Sequence, residues 1–289
     1  MTIPNMTSAP RLSGRVALIT GGSRGIGRAV ALKLAGDGAA VVVAAKTERP
    51  KASLPGTIHE TVSMIEAAGG RAHAVRCDVR KDEDLANLMK ATIETYGRLD
   101  ILIHNAGALW WDDIANTPVK RLDLVMQVNV RAAFVLTQLG IPHLTSSGAG
   151  HLLVYSPPIE LEALPGHTAY LISKFGMTML ALGLAGELRG ANVAANSLWP
   201  VTAIETAATI NFGVGGPAIW RKPAIMADAT LEVVTTPPGD LTGQQLLDED
   251  FLRTRGWTDF TRYRSDPEHE PPRYRLADLP KAGRVSRPG

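Results

Sequence analysis

The sequence predicts an α/β fold: a doubly wound parallel sheet of about seven strands with helices on both faces. Three observations carry that expectation. "RVALIT", residues 15–20, is an apolar run that stops at a glycine pair, as a buried strand does. "GIGRAVALKLAGDG" follows, with Ile26, Val30 and Leu34 on one helical face and Gly38 at the stop. "AVVVAA" is then a second buried run, so that strand, helix and strand make a βαβ unit, whose crossover is right-handed. The alternation continues past a third strand. Leu85, Leu88, Met89 and Ile93 fall at helical spacing, "LDILIHNAG" is a strand running into a loop, and Leu122, Val125 and Met126 open another helix. "HLLVYS" is a fifth strand, 169–188 a long helix, "NVAANSLWP" a sixth strand and "TGQQLLDED", 242–250, a seventh.

The length of 289 residues suits one such domain with a tail. The expected division is an N-terminal arm at 1–14, the α/β body at 15–250 and a C-terminal extension at 251–289. In the last of these, five prolines stand among nine Lys+Arg and five Asp+Glu. That composition predicts a mostly irregular surface extension rather than a basic recognition tail. Its aromatics Trp257, Phe260, Tyr263 and Tyr274 suggest that part of it packs on the body or on a neighbouring subunit.

With 45% hydrophobic and 20% charged residues the chain can bury a sizeable core. A net charge of +2 argues neither for nor against nucleic acid, and no nucleic-acid partner is expected. Cys77 is the only cysteine, which rules out an intramolecular disulfide and points to a reducing compartment. The N-terminus lacks the apolar run of a secretory signal, and no later segment holds the roughly 18 uninterrupted apolar residues of a spanning helix. A cytoplasmic protein with no membrane partner is the expectation. The seven histidines are scattered without ligand spacing, so no metal is expected.

"TGGSRGIG", 20–27, lies between the first strand and the first helix. Gly21, Gly25 and Gly27 let the main chain turn sharply and approach a pyrophosphate with no Cβ in the way. The helix N-terminus behind them offers N–H groups and partial positive charge. In this context the motif is a Rossmann-type dinucleotide fingerprint, with Ser23, Arg24 and Ile26 completing the cofactor loop; the bland alternative is a glycine-rich turn with no ligand. Where a free ribose hydroxyl would meet a carboxylate after the second strand, the chain has Ala45 and Lys46, with Arg24 nearby in the loop. Cations attract a 2′-phosphate, so NADP(H) is preferred over NAD(H), unless Lys46 is only a solvated loop lysine. Asp78 in "RCDVR" is placed either to accept from adenine or to close a strand-end turn.

"TAYLISKFG" sets Tyr170 and Lys174 at i and i+4 on one helical face. An ammonium beside a tyrosine is expected to lower its pKa from about 10 and make proton exchange with an alcohol or carbonyl oxygen practicable. With this pair the chain from about 15 to 250 resembles a short-chain dehydrogenase/reductase: "TGGSRGIG", "CDV", "HNAG", "VNVRAAF", the tyrosine and lysine, and "NSLWP" occur in that family's order. Within it, "RLDLVMQVNV", "YSPPIEL" and "LWPVTAIETAA" are similar to the hydroxysteroid dehydrogenase-like protein 2 group. Animal members of that group carry a C-terminal sterol-carrier domain, which the short tail here is expected to lack.

The resemblance implies that Tyr170 is the general acid or base and that Lys174 holds the nicotinamide ribose and tunes Tyr170. It implies that Asn129 supports a water in the proton relay, unless it is a buried polar residue bonded to the main chain. Asn105 and Gly107 would pass beneath the cofactor and Pro200 would adjoin it, although Val201 stands where the family often has glycine. His104, where asparagine is common, reads as a hydrogen-bonded strand-end residue. A homodimer or homotetramer through the helices near 122–139 and 170–188 is also implied.

The family's serine commonly lies thirteen residues before the tyrosine, a position held here by Pro157, so Ser156 is one residue further out. Either a loop one residue longer returns the Ser156 hydroxyl to the substrate carbonyl, or the site lacks it. The segment 202–227, glycine-bearing and apolar, is expected to form a flexible cover suited to a hydrophobic small-molecule substrate. Trp110 and Trp111 line the same opening or serve as packing. Three functions remain open: an NADP(H)-dependent oxidoreductase of a carbonyl or secondary alcohol, a cofactor-binding protein with little turnover, and an enoyl or dienoyl thioester reductase.

Overall fold

The computed structural model describes residues 10–50 and 55–278. In chain order the strands are β1 (Val16–Thr20), β2 (Ala40–Ala45), β3 (Arg71–Arg76), β4 (Ile101–His104), β5 (Gly150–Val154), β6 (Val193–Trp199), β7 (Ala203–Ile204), β8 (Trp220–Arg221) and β9 (Gln245–Leu247). The helices are α1 (Gly25–Gly36), α2 (Ile58–Ala67), α3 (Asp82–Tyr96), α4 (Val119–Val125), α5 (Ala132–Ser146), α6 (Thr168–Glu187), α7 (Ala207–Asn211), α8 (Ala224–Thr235) and α9 (Asp248–Thr254). One turn of π-helix, Met126–Arg131, joins α4 to α5.

Seven strands form a parallel sheet in the order β3-β2-β1-β4-β5-β6-β9. Both faces are covered, which is why β1 and β2 read as near-continuous apolar runs rather than as alternating ones. Ile19, Val43 and Ile103 pack with Leu34, Ile58 and Met226 on one side; Leu18, Val42 and Leu102 pack with Leu88, Leu136 and Met177 on the other. The strand order reverses between β1 and β4, the point at which open α/β sheets form their ligand-binding crevice at the C-terminal edge.

The expected seventh strand is shorter than 242–250. The acidic run Asp248, Glu249 and Asp250 starts α9 instead, in the first turn where a helix dipole favours carboxylates. The boundary expected at 250/251 falls inside α9. Phe251, Leu252, Phe260 and Tyr263 are buried in the main core, because the prolines that signal irregular chain begin only at Pro267. Leu12, in the expected N-terminal arm, is also buried there; the rest of that arm before residue 10, and the extension beyond 278, lie outside the described residues.

Two helical stretches, Val119–Ser146 and Thr168–Glu187, are long and apolar enough by composition to cross a membrane. In the fold, Ala133, Leu136, Met177 and Ala181 of these stretches pack in the core on one face of the sheet.

Candidate active site

The phosphate end is built from main chain. Gly21 and Gly25 take positive φ, 69° and 53°, which turns the chain out of β1 and into α1. Asn105, just past β4, donates from Nδ2 to the carbonyls of Thr20 and Gly21 at 2.9 and 3.0 Å. That clamp leaves no room for larger residues, since a β-carbon on Gly27 would stand 2.4 Å from both Asn105 Nδ2 and the Gly21 carbonyl oxygen. A turn bared in this way at a helix N-terminus fits the pyrophosphate of a dinucleotide. Ser23 and Ile26 lie within it, and Thr206, the N-cap of α7, approaches Gly25 from the segment after β6.

The flanking charges are arranged less simply. Arg24 donates to the carbonyls of Pro55 and Gly56 at 3.0 and 2.7 Å, which ties the loop after β2 to the glycine turn. Lys46 stands exposed at the end of β2. Asp78, after β3, accepts from Arg80 Nε at 2.9 Å and from Arg80 Nη2; this pairing holds its carboxyl down at about 2.

The chemistry end is built from buried side chains. Lys174 and Tyr170 lie on the inner face of α6, 5% and 6% exposed. Lys174 Nζ donates to the Tyr155 carbonyl at 2.8 Å and lies 6.0 Å from the Tyr170 ring centre and 5.5 Å from that of Trp199. Burial lowers the Lys174 ammonium to about 8. Burial also pushes the Tyr170 phenol up, opposite to the direction expected of a neighbouring cation, because the phenolate would be desolvated there.

Asn129 sits in the π-helical turn, a distortion common at functional sites, and is 1% exposed. Its Oδ1 accepts from Ala108 N at 2.7 Å; its Nδ2 donates to the Ala108 carbonyl at 3.0 Å and to Ser173 Oγ at 2.8 Å. Gly107 lies between the two side chains: a β-carbon there would be 3.6 Å from both Asn129 Oδ1 and Lys174 Nζ. Asn105, Gly107, Asn129, Tyr170 and Lys174 thus meet at one edge of the sheet. Pro200 follows β6 at that edge, and Val201 donates to Asp248 Oδ1 at 3.0 Å. His104 ends β4 as a neutral strand-end residue, bonded to Thr137 Oγ1 at 3.0 Å and lowered to about 3 by burial.

Ser156 follows β5 and is wholly buried. Thr178, two turns along α6 from Tyr170, places its hydroxyl 2.8 Å from Ser156 Oγ and 2.7 Å from the Pro157 carbonyl oxygen. The extra residue and the two prolines are thereby fastened to α6. Trp111 lies edge-on to both Tyr170 and His167, with ring centres 6.4 and 5.3 Å away, while Trp110 stacks under Arg121. Residues 202–227, expected to be a flexible cover, are organised: they include α7, β7 pairs with β8, and Trp220 Nε1 donates to the Val214 carbonyl.

Sequence reasoning did not find Thr178, Ser173, Thr206 or Leu276. Thr178 had a usable signal, its i+4 spacing from Lys174 on the same face. Leu276, buried in one cluster with Tyr170, Leu171 and Phe175, had none, because the contact spans a hundred residues of chain.

A family model described as short chain dehydrogenase matches residues 15–213. The hydroxysteroid dehydrogenase-like protein 2 of Danio rerio is 44% identical over 264 residues, covering 90% of this chain and 63% of that protein. This chain thus spans less than two thirds of that relative's length. The crystal structure of a short chain dehydrogenase from Mycobacterium thermoresistibile superposes with a TM-score of 0.85 at 40% identity, covering 96% of this chain and 100% of that one. A metagenomic short-chain oxidoreductase in complex with NADP is similar at 28% identity and a TM-score of 0.69, over 82% of this chain and 97% of its own. A 7α-hydroxysteroid dehydrogenase complexed with NADH and 7-oxo glycochenodeoxycholic acid is similar at 29% and 0.72, over 84% and 96%. With the motif order, the seven-stranded sheet and the site at its edge in agreement, the chain belongs to the short-chain dehydrogenase family of nicotinamide-dependent oxidoreductases.

Proposed function

We propose that this chain is an NADP(H)-dependent oxidoreductase of carbonyl compounds and secondary alcohols with apolar substituents, and that Tyr170 is its general acid and base. The observation that carries the reading is the burial of Tyr170 and Lys174 side by side, next to Gly107 and Asn129, at the end of the crevice opposite the Arg24 turn. A bound reduced nicotinamide supplies hydride to the carbonyl carbon. The chain supplies the rest. Burial keeps the Tyr170 phenol protonated, so its hydroxyl has a proton to give to the carbonyl oxygen in the reducing direction. Lys174, fixed by the Tyr155 carbonyl, offers a nearby ammonium as that proton leaves, and Asn129, fixed by both polar groups of Ala108, has the position to hold a relay water.

Gly21, Ser23, Arg24, Gly25, Ile26 and Gly27 hold the pyrophosphate side, Asn105, Gly107 and Pro200 the nicotinamide side, and Asp78 the adenine in this proposal. Lys46 favours the 2′-phosphate, in line with the NADP in one of the similar structures. Exposed apolar residues on the outer helices, Phe134 on α5 and Ile172 and Met179 on α6, support a homodimer or homotetramer through that face. The single buried thiol, Cys77, raised to about 12 by burial first, suits a cytoplasmic setting.

One observation favours a second reading, a cofactor-binding protein with little turnover: the Ser156 hydroxyl is bonded to Thr178 on α6. Titration with NADPH and NADH, followed by NADPH oxidation across a panel of apolar ketones and aldehydes, separates the two. Turnover that Tyr170→Phe abolishes supports the first; tight NADPH binding with no turnover on any carbonyl supports the second.

A further inference from the structure

Tyr170 is only 6% exposed, so whatever covers its ring also neighbours any group it protonates. Part of that cover comes from beyond the matched family region, in the segment after α9. Leu276 is 7% exposed and packs in one apolar cluster with Tyr170, Leu171, Phe175 and Ala163, bordered by Leu109, Trp111, Leu164 and Trp199. The segment is fastened to both loops that flank the site. Tyr274 N donates to the Val201 carbonyl at 2.8 Å, next to Pro200, and Leu276 N donates to Glu160 Oε2 at 3.2 Å, in the loop after Ser156.

Its approach is held by charge. Glu270 pairs with Arg221 at 2.7 Å, and Arg273 pairs with Asp250 at 2.6 Å and with Glu249 at 3.2 Å. Arg221 and Glu249, themselves an ion pair, are 1% and 4% exposed, whereas the side chains they hold, Glu270 and Arg273, are 54% and 47% exposed. Resting on the carbonyl-reducing reading above, we infer that residues 273–278 form the outer wall of the substrate site and that Leu276 sets the length of the apolar group accepted beside the reacting carbonyl. A carbonyl oxygen within hydrogen-bond reach of the Tyr170 hydroxyl places its substituents against this cluster. The cluster offers carbon surface and the Trp111 indole, whose Nε1 is buried without a hydrogen-bond partner among the described residues; the charged groups beside it, Lys174 and Glu160, are engaged by the Tyr155 carbonyl and the Leu276 amide. The matching substrates are neutral, chain-bearing ketones or aldehydes.

The test uses a series of methyl ketones from butanone to decanone with three variants, Leu276→Ala, Leu276→Trp and the volume-conserving Leu276→Met. Two readouts are taken on each: kcat/KM with NADPH, and ketone affinity in the dead-end complex with NADP+ by tryptophan fluorescence. NADPH affinity and melting temperature are recorded as controls. The expected result is that Leu276→Ala moves the preferred ketone to longer chains, raising the long-to-short ratio about tenfold, and that Leu276→Trp moves it the other way by a similar factor. A wall predicts these opposite shifts; a purely structural contact lowers all ketones together.

An unmoved length profile in Leu276→Ala, or a uniform loss across the series, overturns the inference, even if Leu276→Trp is too unstable to measure. Ketones that bind with the expected length shifts but are never reduced would remove the carbonyl-reducing reading and leave the wall. Ketones reduced with an unmoved profile would do the reverse.

Discussion

At the phosphate end of the crevice the main chain makes the surface: Gly21 and Gly27 are bare because Asn105 already fills the space a β-carbon would take. At the chemistry end the main chain recedes, and side chains from the loop after β4, the π-helical turn, α6 and the segment after α9 converge in a buried cluster. Gly21 and Gly27 at the first end admit no added atom. The second admits changes of volume but not the loss of a donor, because Lys174, Asn129 and Thr178 are desolvated and each holds a neighbouring group in place. Substitutions at the two ends should therefore fail differently, one through cofactor binding and the other through turnover.

The largest expected effect is at the chemistry end. Tyr170→Phe conserves shape and removes only the proton, so carbonyl reduction should fall by about 10³-fold while NADPH affinity stays within about threefold. Loss of both together would mean that the two ends are not separable. Ser156→Ala comes next. If the serine supports the carbonyl despite its extra residue, steady-state kinetics should show kcat down by about 10²-fold, and Thr178→Val, which unfastens Ser156, a smaller loss of the same kind. An unchanged kcat in Ser156→Ala removes the serine from the mechanism.

The same contrast explains what was legible in the sequence. The glycine turn, β1, α1 and β2 announce themselves because the βαβ unit is local and its glycines have a local cause. Tyr170 and Lys174 are legible as an i, i+4 pair on one helix. The direction of the Tyr170 pKa was not, since it depends on how completely the fold desolvates the ring. Nor was the pairing of Arg24 with the Pro55 and Gly56 carbonyls, or the role of Thr178, for each is a contact between separate loops or elements. The stretch after Phe251 was legible in part: its aromatics pointed to packing on the body, and Phe260 and Tyr263 are core, whereas nothing local announced that Leu276 reaches the site.

At the phosphate end, Gly27→Ala sharpens the comparison. A β-carbon 2.4 Å from two polar atoms forces the Asn105 clamp to shift, which should cost about 1–3 kcal/mol of stability and weaken NADPH by about tenfold or more. Thermal denaturation and cofactor titration measure the two effects. Turnover at saturating NADPH should fall much less than in Tyr170→Phe. A Gly27→Ala protein that binds NADPH normally would mean the turn is not the cradle its geometry suggests.

The smallest expected effect lies at the rim of the same end. Lys46 is exposed, so its attraction for a 2′-phosphate acts through water and is worth about 1 kcal/mol at most. Lys46→Ala should then raise the dissociation constant of NADPH about fivefold and leave that of NADH unchanged, and the difference should shrink as salt is added. Arg24 should behave otherwise, because its guanidinium also holds the loop at Pro55 and Gly56; Arg24→Ala should weaken both cofactors by loosening that loop. Equal weakening of NADPH and NADH by Lys46→Ala would show that this lysine does not read the phosphate, and equal affinities in the unaltered protein would remove the preference for NADP(H) altogether.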